Sequence, residues 1–368
     1  MISYGKQNIS DTDIDAVRRI LEGDWITQGP MIPAFEECIA TYVGASQCIA
    51  VSNGTAALHL AYLAAGISSG DEIIMPANTF VATANAALYI GARPVFADID
   101  PLQYNINPTD IERCITSRTK AIVVVHFAGH PCSMDRIFQI AKEHRLVVIE
   151  DAAHALGAQY HGTPVGGLPT FAATFSFHPV KSITTGEGGM VATSSLEAAS
   201  FIRLLRSHGV TKDTHGKNVM TALGFNYRLT DFQAALGFEQ MKKIEDFIRI
   251  RHSFVHEYET LLRDLDMIQL PIEDPDCRSA WHLYVIRVRE KKDRDPLYQH
   301  LLDAGIGANF HYPSVYSHPY YRRHGYADTS LPETDRYTDT CITLPLHTKL
   351  TQPDIQTVSD ALHSFFSH

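Results

Sequence analysis

Short apolar runs alternate with stretches of helical periodicity along the first half of the chain. The apolar runs predict strands at 48–52, 72–76, 94–99, 121–127, 146–151 and 173–177. Segments between them, such as "TAALHLAYLAAG" and "MDRIFQIAKEHR", have the apolar spacing of helices, and two earlier helices are predicted at 11–22 and in "FEECIATYVG". Strands that alternate with helices predict an α/β fold, with a mostly parallel sheet covered by helices on both faces.

The pattern changes in the last third of the chain. The segment beginning "LTDFQAALGFEQ" predicts one or two long helices, and short strands are predicted in "AWHLYVIRV", "IGANFHYP" and "CITLPL". Helices are predicted near "DPLYQHLLDAG" and "PDIQTVSDALHSFF". We therefore expect two domains, a large one over residues 1–249 that includes the N-terminal helix and a smaller α+β domain over 250–368.

Charge and hydropathy exclude several classes of function. The 368 residues include 41 acidic and 31 basic side chains, giving a net charge of −10 without a run of Lys or Arg, which argues against nucleic-acid binding. The N-terminus lacks the apolar core of a signal peptide, and no segment reaches the roughly 18 apolar residues of a membrane span. These features predict a cytoplasmic protein that does not insert into membranes.

Neither cysteine nor histidine spacing predicts a metal or disulfide site. The six cysteines are scattered without a CxxC motif, which favours reduced and mostly buried thiols. His126 and His130 are close in "HFAGHP", but Gly129 and Pro131 predict a loop there instead of a helical ligand pair. We expect no bound metal.

Polar residues follow the predicted strands, at the edge of the sheet where ligands collect in such folds. In "SNGTAALHL" the strand leads directly into a helix, whose free first-turn N–H groups and dipole can bind an anion. Gly54 would let the backbone approach closely and Thr55 would add a hydroxyl. The same segment is also compatible with an ordinary turn and helix cap.

Two other strand ends carry groups that could react with or hold a cofactor. Asp151 follows a buried strand in "RLVVIEDAAHALGA" and could cap a helix or hold a proton on a cofactor ring nitrogen, with His154 reaching another ring substituent. Lys181 follows the next strand, and burial there would lower its pKa and make its amine a nucleophile for carbonyls. A solvated surface lysine is the alternative. A phosphate-like turn, a strand-end Asp and a Lys together suit a bound aldehyde that carries a phosphate and a pyridinium.

Long motifs carry a resemblance to a known family. "EDAAHALGA", "FSFHPVKSITTGEGGMV" and "GFNYRLTDFQAALG", in this order, are similar to the DegT/DnrJ/EryC1/StrS family of pyridoxal-phosphate-dependent sugar aminotransferases. The likeness covers almost the whole chain, from "YGKQNI" and "GDWITQGP" to "FHYPSVY" and "LPLHTKLT". It implies a fold-type I aminotransferase, a homodimer whose active site is shared between subunits.

The resemblance also implies roles for individual residues. Lys181 would form the internal Schiff base with pyridoxal phosphate and shuttle the proton as the cofactor passes through its pyridoxamine form. Asp151 would pair with the pyridinium nitrogen, and His154 would bond the ring hydroxyl. The other implied cofactor contacts are ring stacking by Ala153 and Phe80, and phosphate binding by Gly54, Thr55, Ser176 and Asn226 of the partner subunit. Taken alone, Phe80 could equally be a core residue, and Asn226 a loop residue.

Within the family, the chain looks most like the C4 aminotransferases of pseudaminic acid biosynthesis, which use L-glutamate and a UDP-linked 2-acetamido-4-keto-6-deoxy-L-arabino-hexose. By that likeness, the residues lining the sugar or nucleotide would be Tyr4, Asp24, Trp25, Ile26, Thr27, His311, Tyr312 and Pro313. The sequence "HYPSVY" departs from the "HYxPxY" expected of that branch, so related substrates on dTDP or GDP stay open.

Two other functions fit the sequence less well. Sugar dehydratases of the family replace the Schiff-base lysine with histidine, whereas this chain keeps Lys181, which disfavours dehydration. A non-catalytic binding protein on the same fold would have an incomplete set of cofactor residues, and the set here is complete.

Overall fold

The computed structural model describes residues 1–367, and its centre is a seven-stranded sheet within that range. The strand order is β1-β9-β8-β5-β4-β2-β3. These strands are β1 Gln47–Val51, β2 Glu72–Pro76, β3 Arg93–Ala97, β4 Thr119–Val125, β5 Val147–Asp151, β8 Ala172–Ser176 and β9 Gly189–Thr193. The pairs among β3, β2, β4, β5 and β8 are parallel, and β9 runs antiparallel to β1 and to β8. The predicted α/β fold with a mostly parallel sheet is confirmed.

Helices cover both faces of this sheet. The α-helices within residues 1–367, including those that pack elsewhere, are α1 Asp11–Leu21, α2 Met31–Val43, α3 Gly54–Ala64, α4 Ala82–Tyr89, α5 Pro108–Cys114, α6 Met134–His144, α7 Leu196–Arg206, α8 Asp231–Met241, α9 Ile244–Leu262, α10 Lys291–Asp303, α11 Pro319–Tyr321, α12 Pro332–Thr340 and α13 Gln352–Phe366. Alternate residues of the strands face opposite layers: Ile49 packs with α3, α4 and α7, whereas Ala50 packs with α2 and α8. Because both faces are buried, the central residues of these strands are mostly apolar.

Strand β9 is not among the strands predicted from the sequence. The strand begins at Gly189, where a side chain would place its Cβ 2.4 Å from the carbonyl oxygen of Asn53. Glycine is therefore required because the backbones of β9 and the β1–α3 turn touch. The strand inserts between β1 and β8 and fixes the distance between the two strand ends that carry Gly54 and Ser176.

The last third of the chain forms a smaller antiparallel sheet. It contains β12 Ile268–Gln269, β14 Tyr284–Val288 and β15 Cys341–Leu344, and α9, α10 and α13 pack on it. The minor strands elsewhere are β6 Gln159–Tyr160, β7 Thr163–Pro164, β10 Val210–Lys212, β11 Asn218–Met220 and β13 Cys277–Arg278. The predicted strand in "IGANFHYP" was wrong, because this segment forms only isolated bridges, at Ile306 and Asn309. Residues 309–313 line a cavity.

The predicted division of the chain at residues 249 and 250 falls inside α9. Ile2 forms a bridge with Ile306, so the first residues of the chain lie against the smaller sheet. The two-domain division stays a proposal.

The six cysteines are free and are buried or half-buried. His126 and His130 flank a short 3-10 turn, Phe127–Gly129, so the prediction of a loop is confirmed.

Over residues 1–367 we find no group of His, Cys, Asp or Glu arranged for a metal ion, and no helix long and apolar enough to cross a membrane. The cytoplasmic location stays a prediction.

Candidate active site

A cavity of about 1000 Å³ lies at the carboxyl ends of the central strands. Asp151 is the last residue of β5, and Ser176 is the last residue of β8. The predicted site residues that line this cavity are Tyr4, Gly54, Thr55, Phe80, Asp151, Ala153, His154, Ser176, Lys181, His311, Tyr312 and Pro313. The fold thus brings together residues from both ends of the sequence at one place.

The N-terminus of α3 provides an anion-binding corner of the cavity. The Asn53 side chain caps the helix by accepting from the N–H of Ala56 at 2.8 Å. The N–H groups of Gly54 and Thr55 donate to no protein group among the described residues. A Cβ on Gly54 would lie 3.0 Å from the Cβ of Ser176, so glycine allows the Ser176 hydroxyl to approach the helix end. Two free N–H groups, a hydroxyl and a helix dipole suit a phosphate.

Asp151 places a buried carboxyl group on the floor of the cavity. Its Oδ2 accepts from the hydroxyl of Thr83 at 2.7 Å, and its Oδ1 accepts from the N–H of Ala153 at 3.2 Å. Burial raises the pKa of this carboxyl, and the two hydrogen bonds oppose that rise. A cation bound beside Asp151 would favour its ionised form, so the position suits a protonated ring nitrogen.

Lys181 lies on the loop after β8, and its amine shares the cavity with Asp151. Desolvation lowers the pKa of this amine from 10.5 to about 8, while the charge of Asp151 acts in the opposite direction. A lysine with a pKa near 8 is far more often neutral at physiological pH than a surface lysine, and the neutral amine is the nucleophile. Lys181 is therefore suited to attack a carbonyl carbon.

His154 is buried and has one unused ring nitrogen. Its Nε2 lies 3.1 Å from the hydroxyl of Tyr312, while its Nδ1 has no hydrogen-bond partner within residues 1–367. Burial holds the pKa of His154 well below its usual range, so the ring is neutral. A bound group that offers a hydroxyl would satisfy such an orphaned polar atom.

His282 also lines the cavity and was not predicted. Its ring centroid lies 4.5 Å from that of His154, and burial keeps its pKa well below its usual range. The residue before it, Trp281, has a φ of 45°, and the buried Arg251 donates to the carbonyls of both Trp281 and His282. His282 precedes strand β14, so the rule that points to the carboxyl ends of strands could not find it.

Thr83, whose hydroxyl donates to Asp151, was also not predicted, because it lies inside α4 and not at the end of a strand.

The remaining predicted residues lie outside the cavity of the single chain. Asp24 to Thr27 are exposed, with Trp25 at 61% and Ile26 at 53%. Asn226 is also exposed and forms a bridge with Ser207. The roles of these residues stay predictions.

The comparisons with known proteins agree on one family. The profile of the DegT/DnrJ/EryC1/StrS aminotransferase family matches residues 7–363. The spore coat polysaccharide biosynthesis protein SpsC of Bacillus subtilis is 38% identical over 98% of this chain and 96% of its own. The sugar aminotransferase Spr1654 of Streptococcus pneumoniae, described as putative and solved in its PMP form, superposes with a TM-score of 0.96 at 28% identity, over 100% of this chain and 99% of that one. PseC of Helicobacter pylori, an aminotransferase involved in the biosynthesis of pseudoaminic acid, has a TM-score of 0.95 at 31% identity over 100% and 99%.

These findings show the class of enzyme: the chain is a pyridoxal-phosphate-dependent sugar aminotransferase. It belongs to the DegT/DnrJ/EryC1/StrS aminotransferase family. The anion corner at α3, the carboxyl of Asp151 and the orphaned Nδ1 of His154 fit a phosphate, a pyridinium and a ring hydroxyl respectively. The residues present therefore fit this cofactor.

The lowered pKa of Lys181 has a consequence that can be measured. The rate at which the cofactor-free protein forms its visible absorption band with added pyridoxal phosphate should rise with pH, with a midpoint near 8, because the neutral amine reacts. Stopped-flow absorbance between pH 6 and 10 provides the measurement. A midpoint above about 10, the value of an unperturbed lysine, would show that the amine is not desolvated.

Proposed function

We propose that this enzyme transfers the amino group of L-glutamate to C4 of a nucleotide-linked 4-keto-6-deoxy sugar. The acceptor we favour is UDP-2-acetamido-2,6-dideoxy-β-L-arabino-hex-4-ulose, which would give UDP-4-amino-4,6-dideoxy-N-acetyl-β-L-altrosamine. The observation that carries the proposal is the desolvated amine of Lys181 beside the buried carboxyl of Asp151. The choice of sugar is supported by the branch-like motifs and by the likeness to PseC.

The cavity residues divide into holding and reacting groups. The first turn of α3 with Gly54 and Thr55, together with the hydroxyl of Ser176, would hold the phosphate of pyridoxal phosphate. Asp151 would hold a proton on the ring nitrogen, and His154 would bond the ring hydroxyl. When bound, pyridoxal phosphate supplies an aldehyde that accepts the amino group and a ring that withdraws electrons from the reacting carbon.

Lys181 would bind the cofactor covalently and would act as the base and the acid of the reaction. Its neutral amine would hold the aldehyde of pyridoxal phosphate covalently, and when free it would take the α-proton of glutamate. In the second half of the reaction the same amine would deliver a proton to C4 of the sugar. Because the amine has a pKa of about 8, it can both accept and donate a proton near neutral pH.

Residues of the last third of the chain would position the sugar. The ring of His311 lies 5.6 Å from that of Tyr4, and its Nδ1 bonds the hydroxyl of Thr343 at 2.8 Å. Tyr312 reaches His154 through its hydroxyl, so the sugar side and the cofactor side of the cavity are joined by a hydrogen bond. These contacts support a fixed orientation of the 4-keto group towards Lys181.

We also propose that the enzyme acts as a homodimer with a shared active site. Large apolar side chains are exposed on the segment 24–27, namely Trp25 and Ile26, and on or shortly after strand β11, namely Val219, Met220 and Leu223. Side chains of this kind mark interaction surfaces when they cluster. Asn226 of the partner subunit would then complete the phosphate site. Sedimentation analysis should give a dimer, and a monomer with full activity would refute the shared site.

The acceptor is tested with a panel of UDP-, dTDP- and GDP-linked 4-keto-6-deoxy sugars, each supplied with L-glutamate. We expect the UDP-linked 2-acetamido L-sugar to give the 4-amino sugar with a kcat/KM at least about tenfold above the others, a difference of roughly 1.4 kcal/mol. Mass spectrometry and NMR of the product provide the measurement. Amination of only a dTDP or GDP sugar would keep the class of reaction and reject the favoured acceptor.

A further inference from the structure

A second buried carboxyl group lies next to Asp151 on the strand that forms the floor of the cavity. Glu150 is the residue before Asp151 on β5, and its side chain is fully buried. Because side chains alternate along a strand, Glu150 points to the face of the sheet where Val148 packs with α6, whereas Asp151 points to the face of α4, from which Thr83 donates to it. The end of β5 therefore carries one carboxyl group on each face of the sheet.

The hydrogen bonds around Glu150 define its charge. Nδ1 of the buried His126 accepts from the N–H of Cys132 at 3.1 Å, so this ring is neutral and carries its proton on Nε2. Nε2 then donates to Oε2 of Glu150 at 2.9 Å, and the hydroxyl of Thr170 donates to Oε1 at 2.6 Å. Because both of its oxygens accept hydrogen bonds, the carboxyl group of Glu150 is ionised.

No cationic side chain balances this charge. Within residues 1–367, Glu150 forms no ion pair with a lysine or arginine, and its partner His126 is neutral. Burying an unpaired carboxylate is costly in free energy. A glutamine at this position could make the same two contacts, with its oxygen accepting from His126 and its amide donating to the oxygen of Thr170. Stability therefore does not require the negative charge, which points to a role for that charge in the site.

We propose that Glu150 is a positioning residue that acts by its charge: it places a second carboxylate behind Asp151 and so favours the protonated ring nitrogen of the bound cofactor. This inference rests on the proposed function, because it takes Asp151 as the partner of that nitrogen. His126 links the two carboxyl groups, since its ring bonds Glu150 and its backbone N–H donates to the carbonyl of Asp151 at 3.2 Å. Because both carboxyl groups are buried, water and salt screen their charges less than they screen surface charges.

Equilibrium titration of the cofactor-free protein tests this effect of charge without any turnover. The two ligands are pyridoxamine phosphate and its 1-deaza analogue, in which a C–H group replaces the ring nitrogen. In Glu150→Gln the Kd of pyridoxamine phosphate should rise about fivefold, because the variant loses a buried charge that favours the protonated nitrogen. The Kd of the deaza analogue should stay the same, since this ligand has no nitrogen to protonate.

A second readout separates the charge of Glu150 from its packing. The melting temperature of Glu150→Gln should stay the same or rise, because the variant keeps the shape of the side chain and loses a buried charge. Glu143→Gln, which removes an exposed carboxylate on α6, is the matched control and should change neither Kd nor the melting temperature.

Three results for Glu150→Gln would overturn the inference: an unchanged Kd of pyridoxamine phosphate, an equal rise for both ligands, or a melting temperature that falls together with the affinity. Asp151→Asn, titrated with the same two ligands, separates this inference from the proposed function. A selective loss of pyridoxamine phosphate in Asp151→Asn alone would reject the role of Glu150 and keep that of Asp151. If neither variant shows the selective loss, the proposed role of Asp151 fails as well.

Discussion

Replacing Lys181 with alanine is expected to reduce amino transfer by at least about 10³-fold, because the variant would lose the amine that we propose as both the nucleophile and the group that moves the proton. The amine lies in the cavity with Asp151, and no other lysine lines that cavity among the described residues. The visible band that glutamate bleaches in the wild type should be absent. Steady-state formation of 2-oxoglutarate and the absorption spectrum give the two readouts.

The control for this variant is Lys120→Ala, which removes an exposed lysine. Borohydride treatment of the loaded wild type should fix a pyridoxyl group on the peptide that contains Lys181, and mass spectrometry should find none in Lys181→Ala. Normal turnover by Lys181→Ala, or a pyridoxyl group on another lysine, would refute the assignment of the reactive amine.

Changing Asp151 to asparagine is expected to lower kcat by roughly 10²–10⁴-fold, because a neutral amide cannot hold the positive charge on the ring nitrogen. The substitution preserves volume, and the acceptor for Thr83 can be kept through the amide oxygen. It also removes the charge that raises the pKa of Lys181, so the pH midpoint of pyridoxal-phosphate attachment should fall below about 8.

A merely structural defect would not move that midpoint downward. Asp135→Asn, at an exposed carboxylate on α6, is the control and should match the wild type in both readouts. An Asp151→Asn enzyme with a normal kcat would contradict the role of this carboxyl, whatever its stability.

Local periodicity was enough to predict the strands that build the sheet. The six predicted apolar runs correspond to β1, β2, β3, β4, β5 and β8, because a strand buried on both faces must be apolar along its length. The seventh strand, β9, begins in glycines whose reason is a close contact with Asn53. That contact exists only in the folded chain, so no local pattern predicted this strand.

In the site, too, the residues that obey a local rule could be predicted, and those placed by tertiary packing could not. Asp151 and Ser176 end strands, Gly54 and Lys181 follow strands, and the rule for parallel sheets placed all four at one edge. His282 precedes its strand and reaches the cavity because the smaller sheet packs there. No spacing in the sequence could have linked it to His154, which lies more than a hundred residues earlier in the chain.

The role predicted for the segment 24–27 could not be tested in the single chain. The resemblance placed its residues on the substrate, whereas in the single chain they are exposed and outside the cavity. Whether a residue contacts a ligand across a subunit boundary depends on the assembly, which neither a sequence pattern nor one chain contains.

The central claim is that this chain moves nitrogen from glutamate to a nucleotide-linked keto sugar. Supplying ¹⁵N-labelled L-glutamate and the UDP-linked 4-keto sugar to the loaded enzyme tests it most directly. We predict that ¹⁵N appears at C4 of the sugar, in equal amount to the 2-oxoglutarate formed, and that Lys181→Ala gives neither product. Consumption of the keto sugar without ¹⁵N in the product would contradict the account.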